Sequence, residues 1–199
     1  MFPSLLQEDP NSFGGTVGPV NLQPLTEEEV GHLVELAGDF HNDADLCAQA
    51  GQWRAAMVML GCSVEAGLLA TACACEVELK AAGLWPSDSD PITRWELGKL
   101  LELGRKASWL PTSLPKNTDM FSSLEGEVGD AVQFFLRIRN ASVHPGNYVR
   151  LMAEEDAPDF RNSAAMKPTY DVLQGISGVL FEKLRTVMTS LARPTSPGN

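Results

Sequence analysis

Basic residues are scarce in this 199-residue chain: 15 Lys and Arg stand against 26 Asp and Glu, a net charge of −11. That balance excludes a protein that grips phosphate backbones over its whole surface, and no DNA partner is expected. No apolar run approaches the roughly 18 residues of a membrane span, so no membrane association is expected. The first nine residues, Met1 to Asp9, lack the basic start and continuous apolar stretch of a signal peptide. A cytoplasmic protein is the expectation. There are only four cysteines, at 47, 62, 73 and 75. Cys73-x-Cys75 has neither redox nor zinc spacing, and no histidine lies near it in sequence, so all four read as small core residues of a reduced protein. No metal and no cofactor are expected. Sustained period-2 alternation and internal repeats are missing too, which removes sheet and solenoid architectures.

What remains is helical periodicity. Residues 1–24 carry four prolines and read as a flexible N-terminal arm. Thr26-Glu27-Glu28-Glu29 has capping-box spacing and opens a first helix running to about Ala50. A second spans about Gln52 to Ala82 and stops at Gly83; its middle, Met57 to Cys75, is almost wholly apolar or small, as in the central helix of a bundle. Asp90 and Pro91 suit the N-cap and first turn of a third helix over about 92–107. A loop over 108–118 precedes a fourth helix, 121–143, with Ser122 and Glu125 as a second capping box. Residues 145–167 read as a long polar connection, which either covers a site or merely joins two helices. A fifth helix starts at Pro168 and repeats Leu173, Ile176, Leu180, Leu184, Val187 and Leu191 at helical spacing. Residues 194–199 form a disordered tail. The expected fold is all-α, an antiparallel bundle of four or five helices in one domain over 25–193.

Within the fourth helix, Phe121, Leu124, Val128, Val132 and Phe135 share a face at 100° per residue, and Arg139 projects from the middle of that face. Arg137 points the opposite way, beside Asp130 and Gln133, as a solvated charge. A guanidinium does not shed its proton, so Arg139 needs an anion, a wet cleft or a subunit interface. Pro145 biases His144 out of the α region and places its imidazole at the helix end. From Val132 to Ala153 the chain holds three arginines (137, 139 and 150) and no Asp or Glu, a basic island that chance clustering also explains. Glu65 is the sole acid between Gly51 and Cys75, set among Val64, Leu68 and Leu69. A carboxylate there requires a partner. Either it makes a structural pair with Arg54, Arg94 or a backbone donor, or it orients Arg139 or His144 across the bundle. Asp39, His41, Asp43 and Asp45 read as a solvated helix face, and His32 adds no chemistry.

A helical bundle whose fourth helix ends in Arg139-Asn140-x-x-x-His144, preceded by Phe134-Phe135-Leu136-Arg137-Ile138 and followed by Pro145, resembles the HEPN domains. The likeness in architecture covers about residues 25–193; the motif itself is three residues. What the resemblance implies is metal-independent RNA cleavage at a composite site, where two motifs of a homodimer face each other. Arg139, Asn140 and His144 would be its catalytic residues, Glu65 a support, and Arg137, Tyr148 and Arg150 candidate RNA contacts. The chemistry suits them. Histidine moves protons near neutral pH for attack by the 2′-OH, arginine stabilises the extra charge on the phosphorane, and Asn140 holds the phosphate or the imidazole tautomer. A toxin or defence setting, with an antitoxin or regulatory protein as partner, is in keeping with the family. So is an inactive dimerisation module that binds a nucleotide or a protein. In branches silenced by a nucleotidyltransferase, a tyrosine follows the histidine by two positions; here Gly146 stands there and Tyr148 is the nearest downstream tyrosine. A structural role for the motif remains open as well, with Arg139 neutralising Glu65 and His144 capping a helix C-terminus.

Overall fold

Thr26 starts the first helix as its spacing requires. Its hydroxyl accepts from the Glu29 amide at 3.2 Å, and its own amide donates to Glu29 Oε2 at 2.7 Å. The computed structural model describes residues 24–85, 92, 95–110, 128–151, 153 and 162–191. Seven helices occur there: α1 Glu27–Gln49, α2 Trp53–Ala74, α3 Glu76–Ala81, α4 Leu97–Lys106, α5 Val128–Val143, α6 Pro145–Leu151 and α7 Ser163–Leu191. The described chain is all-α, with more helices than the four or five expected.

α1 ends at Gly51, whose φ of +71° lets the Gln52 amide reach back to the Cys47 carbonyl at 2.8 Å and turn the chain into α2. α2 is the hub and packs against α1, α3, α4, α5 and α7. Its large side chains Met57, Leu60, Val64 and Leu68 are buried, and between them Gly61, Ser63, Ala66, Gly67 and Ala70 keep its flanks low enough for neighbours to approach. Ser63 settles its buried hydroxyl on the Ala37 carbonyl of α1 at 2.6 Å.

This composition corrects one expectation. By length and composition α2 is apolar enough to cross a membrane, with a mean hydropathy of 1.7 over 18 residues. Gly61, Ser63 and Glu65 interrupt the run without lowering the average much. In the fold 67% of that window is buried by other helices.

Four boundaries also differ. The second helix breaks at Cys75, whose φ of −98° and ψ of 14° separate α2 from the short α3. α4 begins at Leu97 rather than near 92, with Glu96 in extended conformation at its N-cap; the Asp90 and Pro91 cap lies outside the described residues. The connection after His144 contains α6, because proline is well suited to a first helical position, where its missing N–H costs nothing. α7 begins at Ser163, five residues ahead of Pro168, where Asn162 Oδ1 caps the Ala164 amide at 3.0 Å. Phe121, Leu124, Ser122 and Glu125, the arm over 1–23 and the tail after 191 lie outside the described residues, as do the side chains of Val128 and Val132.

α1 and α7 are tied near one end. Asp45 accepts from Tyr170 Oη and from Gln174 Nε2, both at 2.8 Å. Asp39 and Asp43 are exposed as expected; Asp45 is half-buried, which corrects the solvated-face reading for that residue. Burial and the Asp45 contact raise the Tyr170 hydroxyl pKa well above its ordinary value. Asp45→Ala strands that buried hydroxyl, and we expect a loss of about 1–3 kcal/mol in urea unfolding. A change under 0.5 kcal/mol would remove the tie from the account of stability.

Candidate functional site

The site grows from the way α5 lies on α2. Phe135 and Ile138 are buried, at 1% and 0% exposure, and this fixes the face that α5 turns inward. Arg139 follows one turn after Phe135 and reaches α2 beside them. Its stem crosses α2 at Gly61, where a Cβ would lie 2.4 Å from Arg139 Cγ. Only a residue without a side chain lets the arginine pass so close.

Glu65 lies one turn beyond Gly61. Arg139 Nη2 donates to Glu65 Oε2 at 3.0 Å, and Nη1 donates to Asn140 Oδ1 at 3.2 Å. Nε is buried with no partner among the described residues. The two side chains of the pair are 21% and 29% exposed, so the guanidinium is partly open to solvent rather than sealed in the core. Burial pushes the Glu65 carboxyl above its ordinary value; Arg139 pulls it down, and Glu96 pushes it up again. Cys62 lies alongside, its thiol raised by burial and drawn down by Arg139. Among the cations open from sequence, Arg139 pairs with Glu65; Arg94 lies outside the described residues.

His144 is placed differently. Its amide still bonds to the Asn140 carbonyl at 2.9 Å and its carbonyl accepts from Tyr148 at 3.0 Å, so the chain passes from α5 to α6 with only His144 outside helix. His144 thus stands at the end of α5, outside helix, where Pro145 was expected to place it, and the chain turns directly into α6. The imidazole is exposed and has no described partner. Five residues of helical rotation put it about 140° around from Arg139, and four put it about 40° from Asn140. Within one chain Arg139 and Asn140 come together, and the imidazole points elsewhere.

Of the candidate RNA contacts, Arg137 and Arg150 are exposed and Tyr148 is half-buried. The Arg54 guanidinium stacks over the Tyr148 ring at 4.9 Å. Sequence reasoning missed Gly61 and this use of Arg54. A glycine four residues before the lone acid of an apolar helix was the available signal for Gly61; nothing local marked Arg54.

The cysteines are free thiols, Cys75 buried and the others half-buried, and burial lifts Cys73 to about 12 and Cys75 to about 11. No group of three or more metal-ligating side chains occurs among the described residues. No protein-family model matches the chain, and no curated protein or solved structure is significantly similar to it.

Proposed function

We propose that the end of α5 is half of a metal-independent RNA-cleaving site of the HEPN type, completed by a second copy of the chain. The observation that carries this reading is the state of Arg139: oriented by Glu65 and Asn140, yet with 21% of its side chain open to solvent. A cation fixed in this way pays no ordering cost when a scissile phosphate gains charge. His144, exposed at the helix end, moves the 2′-OH proton. The rotation between Arg139 and His144 is why a second copy is needed: the cleft closes when two motifs face each other. Arg137, Arg150 and the Arg54–Tyr148 stack supply phosphate and base contacts on a chain that is otherwise acidic.

The test is incubation of mixed RNA with purified protein in EDTA, beside His144→Ala. We expect cleavage by the wild type alone, and a melting temperature unchanged by the substitution, since an exposed side chain without partners is worth under about 0.5 kcal/mol. Equal cleavage by both proteins places the chemistry elsewhere. One observation favours a second reading, an inactive binding or dimerisation module: Glu65 already occupies one edge of the guanidinium. That reading predicts no cleavage of any RNA by either protein.

A further inference from the structure

α1 and α7 both pack on α2 but scarcely on each other away from the Asp45 tie, and a groove of about 550 Å³ opens between them. His41, expected on a solvated face, lines this groove instead, with Phe181, Leu184 and Met188 opposite. Phe181 is seated against α2 at Gly67, where a Cβ would lie 2.8 Å from Phe181 Cε1. The imidazole stands edge-on to that ring, with centroids 6.1 Å apart and planes at 83°. At Gly38 and Gly178, on the two walls, a Cβ would meet nothing within 4 Å. These glycines border open space, not a packed contact.

We propose that this groove binds a small neutral aromatic molecule bearing one hydrogen-bonding oxygen. Its volume falls within the range of small-ligand sites, and the His41–Phe181 corner offers an aromatic wall. His41 Nδ1 is buried without a partner. A stranded lone pair is cheaper than a stranded N–H, so the proton resides on Nε2, the outer ring nitrogen, which donates to the ligand oxygen. Arg185 on the rim is already held by both oxygens of Glu182, at 3.0 and 2.7 Å. With the cation so satisfied, the site selects a neutral ligand over a carboxylate.

Phenol and toluene, titrated against isotope-labelled protein and followed by NMR, form the test. Both probes should shift groove resonances saturably, with phenol binding about fivefold tighter, the value of one net hydrogen bond. In His41→Leu the two should bind alike. Gly178→Leu should abolish both while melting no lower than wild type, because it fills empty space and improves helix propensity. The proposal is overturned by probes that fail to saturate or by shifts that persist in Gly178→Leu. It is equally overturned by a concentration-dependent dimer that Gly178→Leu disrupts, since the groove would then hold a second copy.

Discussion

On the proposed function, Arg139→Ala should cost about 1–3 kcal/mol of stability at pH 7 and remove RNA cleavage. The size follows from the setting of the pair. Exposed ion pairs contribute about 0–1 kcal/mol, and fully buried ones cost about 3–5 when one partner is deleted. Glu65 and Arg139, at 29% and 21% exposure, fall between those limits. Most of the loss comes from the carboxylate left behind. The effect therefore depends on pH, with a definite sign. The folded protein holds the Glu65 carboxyl above its ordinary value of 4.5, so the cost of its charge is absent below about that pH and fully present above the raised folded value. Deleting Arg139 raises the folded value further and widens that window. Urea unfolding at pH 4.5 and pH 7 should show the variant's deficit growing with pH. Adding Glu65→Gln should recover part of it at pH 7 without restoring cleavage. A deficit equal at both pH values would mean that Glu65 is not the partner that matters.

Gly61→Ala should inactivate the protein almost as completely, although residue 61 touches no substrate in the proposed chemistry. The added methyl would lie 2.4 Å from Arg139 Cγ, near the root of the side chain, where rotamer changes give little relief. Either α5 lifts from α2 or Arg139 swings away from Glu65. Overpacking of this kind costs about 1–3 kcal/mol, against about 1 gained from replacing glycine inside a helix. We expect a small net loss of stability with a large loss of cleavage. Gly67→Ala is the control: its methyl meets Phe181 Cε1, the far edge of a half-buried ring, at 2.8 Å, and no atom of Arg139 is among its nearest neighbours. If Gly61→Ala were as active and as stable as the wild type, the arginine stem would not cross α2 there.

What could be read from the sequence was local or periodic. The Thr26–Glu29 box, the turn at Gly51 and the burial of α2 all follow from capping chemistry and hydrophobic spacing. The need of Glu65 for a cation followed from the apolar neighbours on its own helix. What escaped was decided between elements. The break at Cys75 carries no strong stop signal, while α6 has a start signal in Pro145 but no apolar stripe long enough to mark a helix. Asp45 and His41 sit on a helix of mixed polarity, and only the crossing of α7 turns one into a tie and the other into a groove wall. Gly61 is one small residue among many in α2; which of them admits a side chain from α5 is a property of the crossing point.

The arrangement around α2 also has a consequence for biosynthesis. On the ribosome this apolar helix is complete long before α5 and α7, the helices that close over two of its flanks, have been made. At ordinary elongation speed the delay to the end of α7 is on the order of ten seconds. During it, α1 is the one long helix among the described residues already made to shield this apolar segment. The nascent chain then exposes apolar surface that the finished fold covers. Slower translation after residue 74 should raise aggregation in the cell without altering the finished protein at all.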